Sequence, residues 1–551
     1  MKTKRLSKAL TRVALCAMAM CGAATAGAQE AAQDSGSFQR IENDRFWTAA
    51  DTVPIYSQGG GIFRFADPQT GRQRYYWYGV RYEEAEQYRL DPSQTPGGAT
   101  FRSVTCYSSD DLANWRFEGD VLTRDELREN VGNRSTWVGR LGVAYVSELG
   151  RYAMFIQHAA MSSESKVLIA LADSPTGNFK WHRWISMYGM IGTHNTGDQT
   201  VFTDEDTGRS YLVYSYGRGR NRIYISEIGV KDGGVGLLDC HEVYRGAGRE
   251  GNCMFKFRGK YYMCASDLYG WDSSHAYYLV ADDIYGPYVP KDSMEVMDGC
   301  MTDYAHVTQT GFFVTVRGTK QETVVYCGDR WADFAGNGLG YNQWCPLSFN
   351  GDRPFFNSLS AWELNAATGE WRVARGNNYV LNGSFEADRR KIPSPVKPRQ
   401  EFLRGWKTEF IKGNKVTIGN PDSLTLNYFN TRDDRRHTIG EKSLNITDTK
   451  DFERRVSQQI TAMPYVDLPD GTYALSATVC WGGDFDRLTM YTESGGEREA
   501  RNLNRGKQGR WQRVTIKGAK VSGGRVAVGF YAKGKAGAYC RIDDVELVRA
   551  E

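Results

Sequence analysis

The chain has 551 residues, of which 41% are hydrophobic and 13% aromatic, and it carries 69 basic and 65 acidic side chains. This length exceeds what one hydrophobic core usually holds, so two or more domains are expected. Five of the basic residues lie within the first 28, which leaves 64 basic against 65 acidic residues. The remainder therefore lacks the basic excess of a protein that binds nucleic acid or an anionic membrane.

Residues 1–28 have the pattern of a signal peptide. A basic start is followed by an apolar stretch over 13–24 and by the small residues 26–28, which suit a cleavage site. Export to the periplasm or the extracellular space is expected. A lipoprotein would need Cys16 or Cys21 as its anchor, and the residues before them fit that role poorly. No later stretch is long and apolar enough to span a membrane.

Residues 40–375 carry a repeated strand pattern. A turn followed by an alternating strand rich in tyrosine and small residues recurs roughly every 50 to 75 residues, the spacing of four-stranded blades with loops. The copies lie at 74–79, 150–155, 208–215, 259–264 and 323–327. With 60 glycines, 15 prolines and little helical periodicity, the sequence predicts an all-β protein that begins with a five-bladed β-propeller.

Residues 378–551 lack the repeated strand pattern of residues 40–375. The segment opens with Asn-Gly-Ser-Phe-Glu at 382–386 and closes with Ile-Asp-Asp-Val at 542–545, and alternating strands lie between them. This pattern predicts a β-sandwich of the jelly-roll type. The stretch 389–399, with three prolines and several charges, is expected to be a loop or linker.

Several short motifs in the first domain resemble glycoside hydrolase family 43, and within it the branch of exo-acting β-1,3-galactanases. Singly they are weak, but they occur in order along the propeller. They are GGGI at 59–62, CYSSDDL at 106–112, NW at 114–115, DQTVF at 198–202, RE at 249–250, DRW at 329–331 and WCPL at 344–347. The resemblance implies exo-acting, inverting hydrolysis of a polysaccharide or oligosaccharide, such as a plant-type galactan side chain. The last domain resembles a carbohydrate-binding module.

Glycoside hydrolysis with inversion needs an acid for the leaving oxygen and a base for water on the opposite face. The resemblance implies that Glu250 is the acid. Most members carry the base as an aspartate in blade one, where this chain has Gln58, which is then expected to contact substrate. The galactanase branch uses a glutamine in a late blade instead. Gln309 matches that residue in one alignment and His306 in another, and imidazole is the better base on chemical grounds.

The chain departs from the family at the start of blade two. The galactanase branch carries a third acidic residue there, which tunes the acid, whereas this chain has Arg140. A nearby arginine is expected to lower the pKa of the acid, or else to bind a carboxylate or hydroxyl of the substrate. Asp198 is expected to orient substrate or to replace the tuning residue, although an aspartate that stabilises a turn is equally common.

Further residues of the motifs are expected to bind substrate. Tryptophan rings can stack on the apolar faces of sugars, although single aromatic residues in such strands more often lie in the core. Arg218, Arg220 and Arg222 form either a solvated loop or a site for a uronic acid. The expected substrate contacts of the motifs are Trp271, Asp329, Arg330, Trp331 and Trp344.

No cofactor or catalytic metal is required by this chemistry, although a structural Ca²⁺ at Glu386 and Asp544 is implied by the resemblance of the last domain. The nine cysteines beyond the leader lack metal-binding spacing, and burial as small apolar side chains is favoured for most of them. Two alternatives stay open: a sugar-binding protein without activity, and elimination from a uronic acid with His306 as base. Nothing in the sequence indicates an oligomeric state.

Overall fold

The computed structural model describes residues 37–90, 99–131, 137–159, 167–268, 273–300, 307–330, 341–387, 403–415, 426–427 and 443–550. Strands dominate, which confirms the all-β class predicted from the sequence. Among the described residues, three short helices lie in connections, α1 Glu83–Leu90, α2 Arg124–Val131 and α3 Tyr188–Ile191. Within the described ranges, no helix has the length and apolar character needed to cross a membrane.

A short strand, β1 Gln39–Glu42, precedes two antiparallel four-stranded blades. The strands of blade one are β2 Gln58–Ala66, β3 Gln73–Tyr82, β4 Phe101–Ser109 and β5 Arg116–Thr123. The strands of blade two are β6 Trp137–Val146, β7 Arg151–Ala159, β8 Val167–Ala172 and β9 Lys180–Ile185.

Three more blades follow in chain order. Blade three has five strands, β10 Thr196–Asp204, β11 Arg209–Tyr216, β12 Arg222–Lys231, β13 Gly234–Leu237 and β14 His241–Arg245. Blade four has β15 Glu250–Phe257, β16 Lys260–Ser266, β17 Ala276–Ala281 and β18 Glu295–Val296. Blade five has β19 Gln309–Arg317, β20 Glu322–Arg330, β21 Tyr341–Asn350 and β22 Arg353–Phe356.

The five blades close into a ring, which confirms the predicted propeller. The first strand of each blade is innermost, and β19 packs beside β2 to close the circle. Strand β1 stays outside the blades and pairs instead with β23 Ala361–Leu364, which pairs with β24 Trp371–Val373. Each described blade thus consists of strands that are consecutive in sequence. Side chains between blades five and one must therefore hold the ring closed.

Every innermost strand is irregular near its first residue. The pairing register shifts between Gln58/Gly61, Val138/Leu141, Thr196/Gln199, Glu250/Cys253 and Gln309/Phe312. Such bulges redirect side chains and are frequent beside active sites. In blade one the bulge also needs a glycine, because a Cβ at Gly60 would lie 1.7 Å from the carbonyl oxygen of Tyr78. The same end of every inner strand therefore aims side chains at the axis.

The last domain is a sandwich of two five-stranded antiparallel sheets around one apolar core, as predicted. The first sheet contains β25 Lys407–Lys412, β28 Phe452–Thr461, β30 Phe485–Ser494, β31 Glu497–Asn502 and β33 Arg525–Gly534. The second contains β26 Leu426–Asn427, β27 Ser443–Thr447, β29 Gly471–Gly482, β32 Gln512–Val521 and β34 Tyr539–Arg549.

The two domains are joined by hydrogen bonds as well as by the chain. Asn378, at the start of the sandwich segment, bonds both sides: its backbone amide donates to Ser360 Oγ at 2.7 Å, and its side-chain Nδ2 donates to the carbonyl oxygen of Val545 at 3.1 Å. Arg330 Nη2 of the propeller lies 3.7 Å from Glu386 Oε2 of the sandwich, and both side chains are buried. The sandwich is thus connected to the same strand, β20, that helps to close the ring.

Candidate active site

Side chains from all five blades meet at the axis of the propeller. Gln58, Glu250 and Gln309 are the first residues of β2, β15 and β19, and Arg140 and Asp198 lie inside the bulges of β6 and β10. All five are buried. The bulges described above therefore gather the residues that the sequence separates by up to about half of the chain.

Arg140 is at the centre of this cluster and binds groups from two other blades. Its Nε donates to Asp198 Oδ2 at 3.0 Å, and its Nη1 donates to Asp329 Oδ2 at 2.7 Å. Its Nη2 donates to Gln309 Oε1 at 2.8 Å and to the Thr310 carbonyl oxygen at 3.0 Å. These four hydrogen-bond acceptors of the guanidinium all belong to the protein. We assign Arg140 to positioning these groups, in place of the substrate contact expected from the sequence.

Glu250 receives two hydrogen bonds, one on each carboxyl oxygen. Gln309 Nε2 donates to its Oε1 at 2.8 Å, and Arg220 Nη1 donates to its Oε2 at 2.5 Å. Glu250 is 5% exposed, and burial together with the charge of Asp198 raises its pKa to about 8, against the opposing pull of Arg220 and Arg140. The carboxyl is therefore protonated at neutral pH, as a general acid must be.

Arg140 thus does not bring the pKa of Glu250 below its ordinary value, contrary to what the sequence suggested. Arg140 pulls the pKa of Glu250 down, as expected, but burial and Asp198 outweigh that pull. Burial also opposes ionisation of Asp198, yet Arg220, Arg140 and the backbone amide of Gly251 together lower its pKa. The site therefore holds an ionised aspartate beside a protonated glutamate, a division of roles typical of acid–base sites.

Gln58, Asp329 and Arg330 connect blade five to blade one. Gln58 Nε2 donates to the Arg330 carbonyl oxygen at 2.9 Å, and the Gly59 backbone amide donates to Asp329 Oδ1 at 3.1 Å. Arg330 Nη1 donates to the carbonyl oxygen of Val307 at 3.2 Å. Burial raises the pKa of Asp329, although Arg140 opposes that change. The Gln58 side chain, the Asp329 carboxylate and the Arg330 carbonyl oxygen close the ring, and we assign these residues this role in place of the expected substrate contact.

The expected stacking of Trp344 on a sugar is wrong. Its side chain is 0% exposed and lies in an aromatic cluster, with ring centroids 4.9 Å from those of both Trp47 and Trp77. Asn43 adds two bonds, with Nδ2 donating to the Trp344 carbonyl oxygen and Oδ1 accepting from its backbone amide, both at 2.8 Å. Neighbouring blades cover both faces of this strand, so its aromatic ring has no solvent side.

Three further predicted residues, Trp271, Trp331 and His306, lie outside the described residues, as do the leader 1–28 and the linker 389–399.

The cysteines agree with the sequence interpretation, since eight of the nine beyond the leader are buried. In the part of the chain that the structure describes, no group of three or more His, Cys, Asp or Glu side chains could hold a metal ion. Glu386 Oε2 lies 3.7 Å from Arg330 Nη2, and the structural Ca²⁺ at Glu386 and Asp544 stays a prediction.

A cavity of about 360 Å³ lies beside the acid. Arg220 connects the two, since it lines the cavity and binds Glu250. The other described residues that line it are Trp137, Gln157, His158, Asn195, Thr196, Gly197, Gly217, Gly219 and Leu268. Trp137 and His158 belong to no motif, so the sequence did not identify them as candidate site residues. A larger cavity, of about 1070 Å³, lies at the domain junction, and Glu250 itself is among the described lining residues of neither cavity.

A propeller with a buried, protonated glutamate at its axis suits acid catalysis, and comparison with known proteins gives the class: the protein is a glycoside hydrolase. The model of the glycosyl hydrolases family 43 matches residues 71–340. The match over this range confirms the resemblance found in the sequence. None of the curated proteins compared with the chain matches it.

Solved structures of similar fold include two exo-β-1,3-galactanases. The enzyme from Phanerochaete chrysosporium, solved with galactose, is 19% identical, with a TM-score of 0.52, and the match covers 92% of this chain and 100% of that one. The enzyme from Clostridium thermocellum is 17% identical, with a TM-score of 0.52, and the match covers 93% of this chain and 100% of that one. At this identity the likeness establishes the fold, with both domains in the same order.

Proposed function

We propose that the protein is an exported, exo-acting glycoside hydrolase that removes the terminal sugar from plant-type polysaccharide side chains, with Glu250 as the general acid. One observation carries the proposal: Glu250 is buried at the propeller axis with its pKa raised to about 8. A glutamate with its usual pKa would be ionised at neutral pH and would have no proton to donate.

The neighbours of Glu250 suit the reaction. When the proton moves from Glu250 to the glycosidic oxygen, the bond from that oxygen to the sugar breaks and a carboxylate forms. Water, which gives a proton to the base, bonds to the anomeric carbon in the same step. Arg220 and Gln309 each donate a hydrogen bond to one oxygen of the Glu250 carboxylate, so they stabilise the charge that develops. Asp198, 3.5 Å from Arg220 Nη2 through its Oδ1, keeps the guanidinium in place.

Gln309 is better suited to holding the acid than to activating water. In inverting glycosidases the acid and the base lie roughly 6.5–9.5 Å apart, with sugar and water between them. Gln309 Nε2 lies 2.8 Å from Glu250 Oε1, and its Oε1 faces a donor of Arg140. We therefore propose Gln309 as the residue that orients Glu250, and His306 as the base of an inverting reaction.

Removal of single terminal sugars is supported by the cavity beside the acid. At about 360 Å³ it is near the lower end of the range of about 300–1,000 Å³ for small-molecule pockets. A space of this size suits one sugar ring better than a run of several. The polymer we propose is β-1,3-galactan, because solved structures of the same fold over both domains are exo-β-1,3-galactanases.

Digestion of a polysaccharide panel tests the proposal. Galactans, arabinogalactans, xylans, arabinans and pectins are incubated with the wild type and with Glu250→Gln, and the products are separated by chromatography. The matched control is Glu84→Gln, since Glu84 is also buried but lies in α1 and bonds Thr100. One released sugar that disappears in Glu250→Gln and persists in Glu84→Gln is the expected result.

Other outcomes identify the alternatives. Full activity of Glu250→Gln would refute its role as the acid. No product from any polymer, together with retention on one of them in an affinity gel, would indicate a binding protein. An unsaturated product with new ultraviolet absorbance would indicate elimination from a uronic acid.

A further inference from the structure

The cavity beside Glu250 contains a histidine whose surroundings are unusual. His158 is at the end of β7, next to Gln157, whose Oε1 accepts from the Arg140 backbone amide at 3.2 Å. His158 is 2% exposed, and neither ring nitrogen has a hydrogen-bonding partner among the described residues. Buried polar groups are almost always hydrogen-bonded, and leaving one unpaired is costly. His158 lines the cavity, so a ligand that reached its ring nitrogens would supply the partners that they lack.

The protonation state of His158 indicates which ligand groups it suits. Burial lowers its pKa to about 4, so the imidazole is neutral under ordinary conditions. In the neutral ring one nitrogen donates a hydrogen bond and the other accepts one. A sugar hydroxyl also donates and accepts, so the ring and a polyhydroxylated ligand are complementary.

The rest of the described lining favours a neutral sugar. Arg220 is the charged residue among them, and it already bonds Glu250 and lies 3.5 Å from Asp198. A carboxylate on the ligand would therefore meet a neutral imidazole beside an existing aspartate charge. Trp137 supplies an apolar surface, and its ring is fixed because it packs over Gly139, where a Cβ would lie 2.3 Å from it. Such rings pack against the C–H faces of sugars.

We propose that His158 determines specificity in the terminal-sugar subsite: it hydrogen-bonds hydroxyl groups of a neutral pyranose that packs against Trp137, and the subsite rejects uronic acids. This inference rests on the proposed function for the location of the terminal sugar. In this proposal the sugar specificity is determined by a residue that belongs to no sequence motif.

Binding of monosaccharides tests the inference without depending on catalysis. Galactose, its singly deoxygenated derivatives and galacturonic acid are titrated calorimetrically into the wild type, His158→Phe and Glu250→Gln. We expect the wild type to bind at least one deoxygenated derivative roughly tenfold to a hundredfold more weakly than galactose, because a hydrogen bond is lost in a buried site. His158→Phe should bind galactose and that derivative equally, and Glu250→Gln should keep the wild-type preference.

Controls separate recognition from folding. His158→Gln restores a donor and an acceptor and should recover part of the preference, while His241→Phe makes the same type of change at an exposed histidine of β14. Melting temperatures identify any variant that fails to fold. The inference is overturned if His158→Phe and His158→Gln both discriminate as the wild type does, if galacturonic acid binds better than galactose, or if the wild type binds no neutral monosaccharide. A failure of Glu250 as the acid would leave these binding results unchanged.

Discussion

Gln309 connects Arg140 to Glu250 through the two ends of its amide. Its Oε1 accepts from Arg140 Nη2 and its Nε2 donates to Glu250 Oε1, both at 2.8 Å. Because Arg140 can only donate, the amide oxygen must face it and the amide nitrogen must face the glutamate. The orientation of the acid is thus set by an arginine that has no direct hydrogen bond to it among those described.

The raised pKa of Glu250 predicts the pH dependence of activity. The proton needed for catalysis is present below pH about 8 and is lost as the pH rises through that value. The value of kcat/KM should therefore fall on the alkaline side with an apparent pKa of about 8. The measurement is kcat/KM for release of the terminal sugar across a pH series. A decline centred near pH 4.5, the ordinary value for glutamate, would contradict the assignment.

The same shift predicts that Glu250→Gln changes how the stability of the fold depends on pH. Because folding raises the pKa of this carboxyl, its favourable contribution is fully present below pH 4.5 and is lost as the pH rises through about 8. A glutamine has no such loss, so the free energy of unfolding of the variant relative to the wild type should rise by roughly 2–5 kcal/mol between pH 4.5 and pH 8. Urea titrations at several pH values measure the difference, and Glu84→Gln gives the background. A difference that does not grow with pH would be the contrary result.

Removal of Arg140 should destabilise the propeller as well as the site. Arg140→Met leaves Asp329 buried without its cation and removes one of the two arginines beside Asp198, which should lower the free energy of unfolding by about 3–5 kcal/mol. Asp329→Asn combined with Arg140→Met should cost less than the sum of the single changes, with a coupling of about 0.5–3 kcal/mol. Chemical denaturation of the four proteins gives the coupling. Strict additivity would mean that the ion pair contributes nothing.

The class of fold followed from local patterns, because turns and alternating strands are short-range features of a chain. A further local signal marks the inner strands. Gln58, Val138, Thr196 and Glu250 are each followed directly by a glycine, and each begins the register shift of its strand. That repeat would have located the axis of the propeller without any family resemblance.

The partners of Arg140 were beyond such reasoning. They lie 58, 169 and 189 residues away along the chain and in two other blades, so only the closed ring brings them together. The sequence therefore predicted that Arg140 lies near the acid. It predicted a substrate as the partner of the guanidinium, where the structure has Asp198, Gln309 and Asp329. Trp344 failed for a related reason: a tryptophan in a strand can stack on a sugar or pack between blades, and the pattern of residues is the same in both cases.

The ring closure has a consequence for reading relatives of this protein. Arg140, Asp198 and Asp329 hold three blades together whether or not a sugar is cleaved. A descendant that had given up hydrolysis would still need them to remain folded, whereas Glu250 and His158 would be free to drift. If a relative keeps the arginine and its two aspartates, that conservation therefore indicates only that it has the same propeller fold. Survival of the glutamate is the mark of an enzyme still under selection for its chemistry.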